Sequence, residues 1–409
     1  MRIVVVHPGA SFSTHDVHVG LCWGLRANGI EVIEYRLDKA LQVSGALIHA
    51  AVAADSLDDP VDVFGLASAE AMGTIIHYEP DAVIVVSGGN FPLMRVAGLI
   101  RLSAQRRVPF PVVLYDTEAP YVTPGMAKAA QYYNVLFTNE ASAVGRYKHA
   151  DAHYLPHAYH PSIHTPGKAE PQFTTEALFI GTAFPERRTL FDGAVALGAP
   201  ITRHGILWEA TTADAAQTIS PEGTIANEDA VRWYRSTQIA INHHRTSRVY
   251  GSNEHIDASE AASLGPRAYE LAAVGTFQLC DDSRSERTTL FADSVPTYRA
   301  GDPEDLARQV AYWLERPEER RALAAQARER VQPHRWDQRA AFVATVIETA
   351  RASLKARHRR SRKRVPIQPS GTFVNLTQTK EQSRNGDKTR SSGGAVLGTE
   401  HRRSHRRNA

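Results

Sequence analysis

Two parallel α/β domains facing each other, followed by a disordered basic tail, are the architecture the sequence predicts, on three grounds. Short apolar strands alternate with amphipathic helices, and the alternation begins twice, at RIVVV (2–6) and again at ALFIG (177–181). A segment rich in Pro, Gly and charge, Thr165 to Thr175, separates the two runs. Charge also splits: residues 1–350 hold 31 Lys and Arg against 41 Asp and Glu, and residues 351–409 hold 16 against 3. The net charge of +3 therefore hides an acidic body and a basic tail. At 409 residues the chain exceeds what one ordinary core organises. The expected boundaries are 1–165 and 166–335 for the two domains, 336–354 for a last helix packing back on the first, and 355–409 for the tail.

Composition narrows the functional classes. The longest apolar runs, such as AVIVV (82–86), fall far short of the roughly 20 residues a membrane span needs. The N-terminus breaks at His7-Pro8-Gly9 and lacks the continuous apolar core of a secretion signal. Cys22 and Cys280 offer neither a disulfide framework nor zinc-spaced cysteines, so a reducing, cytoplasmic setting is expected. The tail, ARHRRSRKR then Gln, Ser, Thr and Gly then HRRSHRRN, has the composition of a disordered segment. It reads either as an electrostatic contact for nucleic acid or an acidic surface, or as a solubilising tail. With Phe373 its single aromatic it lacks stacking platforms for single strands.

Taken in order, RIVVV is a strand, HPGASFSTHDV a loop, VGLCWGLRANG a helix and IEVIEYRL a strand. One glycine in that loop is too few for a dinucleotide fingerprint. Its Ser11, Ser13, Thr14, His15 and Asp16 sit at the carboxyl end of a strand, where such sheets bind ligands; equally, they are solvated, with Asp16 capping the next helix. Residues 40–60 and Val63–Tyr78 read as helices, Asp81–Ser87 as a strand and Pro92–Gln105 as a helix. PVVLYDTEAPYVTPG then delivers Asp116, Thr117 and Glu118 to the same sheet edge. The two carboxylates serve there either as a base for an acceptor hydroxyl or as partners of loop amides. NVLFTNE is a further strand. His153, His157, His160 and His164 are spaced four, three and four apart around prolines, which suits an extended connection and not a metal site.

In the second run ALFIG is a strand, TAFPERR a loop, TLFDGAVALG a helix and QIAINHH a strand. Gly265-Pro266 opens a helix and Gly275 closes it, with Tyr269, Ala272 and Ala273 on one face and TFQLC as the strand beyond. Glu270 lies one turn inside that helix, whose free N–H groups suit an anion. Its plainer reading is an i, i+3 ion pair with Arg267 on an exposed surface. Asp302–Leu314, Pro317–Val331 and Trp336–Leu354 have clear helical period.

Seven phrases in order, YDTEAPY, LFTNEASAVGRY, YLPHAYHP, FIGTAFPERR, WYRSTQIAINHH, PRAYELAAVGTFQL and YWLERPEERRALAAQARERVQPHRW, carry a resemblance over most of residues 100–340. The chain resembles glycosyltransferases of group 1, in particular the CgeB-like (spore maturation protein-like) branch. The resemblance implies the GT-B architecture, two Rossmann-like domains with the acceptor side first and the nucleotide-sugar side second. It implies transfer of a sugar, hexosyltransferase-like, from a nucleotide-diphosphate sugar to an unknown acceptor, whether protein, glycan or small molecule. No cofactor or metal is expected, and the chain contains no Asp-x-Asp. By the same resemblance Glu270 matches the helix glutamate that holds the donor ribose, and Gly181 and Thr182 match the first glycine turn of the nucleotide domain. Arg187 or Arg188 stands where a cation faces the diphosphate, unless the pair is simply a helix-start surface, and Ser263, Gly265 and Arg267 fall where a helix start meets phosphates. Asp116 and Glu118 occupy the acceptor side as candidate catalytic carboxylates. The sequence departs from the group at Ala262, where many members carry a second glutamate, so the stereochemical outcome is left open. Other classes compatible with these residues are a sugar-nucleotide epimerase of the same fold and a non-catalytic nucleotide-sugar or nucleic-acid binding protein.

Overall fold

The computed structural model describes residues 1–9, 13–54, 61–87, 89–117, 119, 124–206, 208, 225, 227–245 and 261–364. The first run of elements is β1 (Arg2–Val6), α1 (Ser13–Ala27), β2 (Glu31–Tyr35), α2 (Leu37–Ala53), α3 (Val63–Tyr78) and β3 (Ala82–Val86). It continues with α4 (Leu93–Gln105), β4 (Val112–Asp116), α5 (Pro124–Ala130), β5 (Val135–Thr138) and β6 (Ala152–Tyr154). Helix α1 starts six residues before the expected Val19, because the polar Ser-Thr-His-Asp stretch forms its first turn, where Asp16 complements the helix dipole. Six strands pair in the order β2-β1-β3-β4-β5-β6, every pair parallel. β3, β4 and β5 are buried along their whole length, as parallel strands covered on both faces must be.

The second run is β7 (Thr175–Ile180), α6 (Pro185–Ala196), β8 (Ile201–His204), α7 (Asn227–Ser236), β9 (Thr237–Asn242), α8 (Pro266–Val274) and β10 (Gln278–Asp281). It continues with α9 (Glu286–Phe291), β11 (Thr297–Tyr298), α10 (Pro303–Leu314) and α11 (Pro317–Val331). Its five strands run β11-β10-β9-β7-β8, again all parallel. Counted from each sheet's first strand, the second sheet has the order 2-1-3-4-5 and the first the same order with a sixth strand added at the end, and in both the chain reverses direction beside the first strand. Such a reversal opens a crevice at the carboxyl ends of the strands. PERR, expected in a loop, instead begins α6, with Pro185 at the position where its missing N–H costs nothing. α8 has the expected punctuation: Gly265 precedes Pro266, and Gly275 ends the helix at φ 84°, a conformation that favours glycine.

The last helix, α12 (Trp336–Arg364), leaves the second run and packs on the first sheet. Trp336, Ala340, Val343, Ile347 and Ala350 join Val17, Leu21 and Leu25 of α1 over Ile3, Val5, Ile84 and Val113. The opposite face of that sheet is covered by Ala67, Ala71 and Ile75 of α3 and by Val96 and Leu99 of α4. Gly20 and Gly24 let α1 and α12 meet: a Cβ on either would overlap Trp336, the indole ring at Gly20 and the backbone carbonyl at Gly24. α12 continues ten residues past the expected Leu354, to Arg364. Arg, Lys and Ala propagate a helix well, so charge alone did not end it. The part of the expected tail from 365 to 409 lies outside the described residues. Among the described residues no helix is long and apolar enough to cross a membrane.

Candidate active site

A cavity of about 740 Å³ lies between the carboxyl edges of the two sheets. The loop after β7 brings Gly181 and Thr182 to its wall, and the first turn of α6 adds Arg187. The Arg187 guanidinium is buried and donates to the carbonyls of Thr182 (3.1 Å) and His243 (3.0 Å), with its centre over the Phe179 and Phe184 rings. Arg188 faces elsewhere: its Nε donates to the Ala183 carbonyl at 3.2 Å, and it does not line the cavity. The two are a single helical step apart, so their side chains leave α6 about 100° from each other.

Arg267, in the first turn of α8, crosses to β7 and donates to the Ile180 carbonyl, lying over the Phe179 ring. Gly181 permits that crossing, because a Cβ there would come within 3.1 Å of the Arg267 Nη2. The start of α8 is anchored from behind. His244 donates through its backbone N–H (2.6 Å) and Nδ1 (2.8 Å) to the Asp281 carboxylate, and its Nε2 accepts from the Gly265 amide at 3.4 Å. Burial by itself raises the Asp281 pKa, but the adjacent His244 outweighs it and holds the carboxyl well below the usual range. Gly265 and Arg267 thus reach the cavity with their backbone set by buried partners.

Glu270 is not the exposed ion-pair partner that its plainer reading describes. It is only 8% exposed and lines the cavity, with His164 Nε2 3.9 Å from its Oε1. Burial pushes its carboxyl up to about 7, and Arg267 offsets only part of that. Ser263 also lines the cavity, but its hydrogen-bonding capacity is largely used in bracing. It donates to the Tyr154 hydroxyl, accepts from the Ala141 amide, and gives its own N–H to Glu140.

The first sheet presents a different set from the one expected. Asp116 is fully buried at the end of β4, accepts from the Tyr147 hydroxyl and does not line the cavity. Glu118 lies outside the described residues. The neighbour that does reach the cavity is Thr117, tied to the Ser87 hydroxyl. Alternation along a strand accounts for this, because successive side chains point to opposite faces. Asp16 and His15, in the first turn of α1, line the cavity instead. Burial pushes the Asp16 carboxyl up to about 7, with Glu270 and Glu228 adding to the rise.

Glu140 was not singled out in the sequence. It is buried and accepts from the amides of Ser142, Ala262 and Ser263 and from the Ser142 hydroxyl, bridging the two halves at the Ala262 position. The only signal for it was the carboxylate at the end of NVLFTNE. The four histidines separate: His157, His160 and His164 line the cavity, while His153 pairs with Asp151 (2.6 Å) beside Phe342. Among the described residues two groups of side chains have metal-like spacing, His18, Cys22 and Glu34 and His244, Cys280 and Asp281, and neither includes any of these four histidines.

Residues 187–345 match a family model described as glycosyl transferase-like. No curated protein matches the chain. Among solved structures, sucrose-phosphate synthase from Thermosynechococcus elongatus aligns at a TM-score of 0.58 and 12% identity, covering 86% of this chain and 100% of that one. A glycosyltransferase from Rickettsia africae aligns at 0.57 and 12%, covering 85% and 98%. The Anabaena protein HepE, solved with UDP and glucose, aligns at 0.56 and 11%, covering 85% and 100%. At these identities the likeness establishes the fold: two facing parallel α/β sheets, the expected GT-B arrangement. The family match agrees with the expectation of an enzyme of the glycosyltransferase type.

Proposed function

We propose that this chain transfers a sugar from a nucleotide-diphosphate sugar to a hydroxyl-bearing acceptor, without a metal, within the CgeB-like branch of group 1. The observation that carries the proposal is the convergence of Gly181, Arg187, Gly265, Arg267 and Glu270 on one wall of a cavity between two sheets. Each has a role there. Glu270, once ionised, accepts from paired ribose hydroxyls. Arg187 and Arg267, with the start of α8, face the diphosphate, whose negative charge grows as the anomeric bond breaks. These cations supply the stabilisation that a metal gives in other transferases. Buried free thiols at Cys22 and Cys280 suit the reducing cytoplasm.

On the acceptor side the proposal moves from Asp116 to Asp16. Among the described first-sheet carboxylates that reach the cavity, Glu140 is committed to amides across the two halves, which leaves Asp16. In an inverting reaction the acceptor oxygen bonds to the anomeric carbon, its proton passes to Asp16, and the bond to the diphosphate breaks with its electron pair on the phosphate oxygen. In a retaining one that phosphate takes the proton itself. A carboxyl poised near neutral pH suits a base.

The test is a thermal-shift panel of UDP-, ADP-, GDP- and dTDP-sugars on the full chain and on Glu270→Ala. Stabilisation by at least one sugar nucleotide, lost in the variant, is expected. Indifference to all of them, or stabilisation that does not depend on Glu270, contradicts the assignment. Product analysis then separates transfer from epimerisation, which releases an altered sugar without any acceptor.

A further inference from the structure

Behind the acceptor wall lies a chain of hydrogen bonds that the proposed transfer does not use. The Gly9 amide donates to His7 Nδ1 at 3.0 Å. His7 Nε2 lies 2.8 Å from His15 Nδ1. His7 is fully buried, and His15, whose ring packs 5.1 Å from it, lines the cavity.

These contacts determine where the protons sit. A backbone N–H can only donate, so His7 Nδ1 holds a lone pair and the His7 proton is on Nε2. That proton is donated to His15 Nδ1, which must therefore also hold a lone pair. The His15 proton is left on Nε2, on the ring edge turned away from His7. Among the described residues His15 makes no other hydrogen bond. We propose that His15 enters the cleft as an uncharged hydrogen-bond donor, its Nε2–H directed to an oxygen of the bound nucleotide sugar, and that it does not act as a base. His7 is a positioning residue that sets the tautomer.

One alternative competes. Asp38 Oδ1 stands 3.6 Å from His7 Nδ1, and a proton on that nitrogen would reverse the chain and free His15 Nε2 to accept. The distance is too long for a hydrogen bond, however, and Asp38 is already held by Arg36, whose Nε donates to it at 2.9 Å. Reversal would also turn the Gly9 N–H onto another N–H at 3.0 Å. Charge agrees with the first arrangement. Burial, with His18 beside it, drops His7 to about 3 against the pull of Asp38, and burial likewise lowers His15, which faces His18, Arg36, Asp38 and Glu34. Both rings are neutral at pH 7.

A neutral donor suits this part of the cavity. Asp16, Glu228 and Glu270 offer acceptors and no fixed proton when ionised. A sugar hydroxyl both donates and accepts, so carboxylates take its proton while His15 supplies one to its oxygen. This substrate assignment rests on the nucleotide-sugar reading; the tautomer does not.

Long-range 1H–15N correlation of the full chain labelled in histidine, with His15 assigned by its loss in His15→Gln, reads the tautomer directly. Protonated Nε2 with bare Nδ1 on both His7 and His15 is expected; a protonated Nδ1 on His15 overturns the proposal. UDP-, ADP-, GDP- and dTDP-glucose are then added. Binding of one of them, read by Glu270-dependent thermal shift, with movement of the His15 Nε2–H resonance, supports the substrate assignment. Binding that leaves that resonance unmoved overturns it. Binding of none overturns the nucleotide-sugar reading, and the tautomer result stands apart. With a nucleotide sugar that binds, loss of the donor in His15→Ala lowers its turnover about 100-fold. His15→Gln, whose amide still donates, recovers about tenfold of that loss. Equal loss in both variants identifies a base.

Discussion

Glu270 illustrates how burial changes what a carboxylate does. Its ordinary value lies near 4.5, and in the fold it titrates near 7 because α8 buries it. A raised folded value means that the folded state keeps its proton while the unfolded state loses it. The stability contributed is therefore complete below about 4.5 and is lost as pH rises through 7. Glu270→Gln is expected to flatten this part of the melting-temperature profile and to raise the melting temperature at pH 8, measured by thermal denaturation across the range. Ligand binding has the opposite slope. Ribose hydroxyls donate to the ionised carboxylate, so nucleotide-sugar affinity falls as pH drops below about 7 in the native chain. Calorimetric titration at several pH values checks this, and an affinity that stays level, or rises on acidification, contradicts the assigned role. Asp16 has the same sense: its base form gains population through about 7. Transfer by an inverting enzyme should rise with pH over that window, and Asp16→Asn should cost about 100-fold or more in turnover with donor affinity little changed.

At the scale of elements, the glycines of α1 are where the two runs of the chain become one body. Gly20 and Gly24 lie one turn apart on the face that meets Trp336 and Ala340 of α12. In an isolated helix Gly→Ala adds stability, roughly 1 kcal/mol, by propensity alone. Here the added methyl of Gly24→Ala overlaps the Trp336 carbonyl, a backbone atom that cannot rotate away. Overpacking of that kind costs about 1 to 3 kcal/mol, so net destabilisation is expected, read as a lower urea midpoint at unchanged slope. A stabilised variant would mean that α12 can slide off α1. The start of α8 depends on a similar layering: Asp281 holds His244, and His244 accepts from Gly265. The glycine and proline that open the helix were legible from their order, whereas the aspartate behind them was not, being eleven residues past Glu270 and buried in the next strand.

For the whole molecule, α12 returns the chain from the second sheet to the first and supplies a large part of one core. Its buried positions run from Trp336 to Ala350, and beyond them the helix is mostly exposed and basic. Ending the chain at Leu354 should leave the melting temperature within a few degrees and donor hydrolysis intact. Ending it at His334 removes Trp336, Val343 and Ile347 from the first core, and loss of soluble folded protein is expected by gel filtration and circular dichroism. If the shorter of these two losses abolishes donor hydrolysis with the fold preserved, the basic segment belongs to the active machinery.

By itself, the sequence determined the local elements and their order. Strand and helix periods, Pro266 and Gly275 follow from short-range sterics and hydrophobic patterning, and these act between residues a few positions apart. The doubled α/β architecture and the helix that carries Glu270 were legible for that reason. Tertiary structure decided which carboxylates face the cavity. Asp116 and Thr117 are adjacent, and only strand twist and packing chose the threonine for the cavity and the aspartate for Tyr147. It also decided that Arg187 and not Arg188 points inward, that Glu140 meets Ala262 from 122 residues away, and that His7 Nε2 lies against His15 Nδ1. Contacts of that separation depend on how two sheets are placed against each other, which no local pattern records.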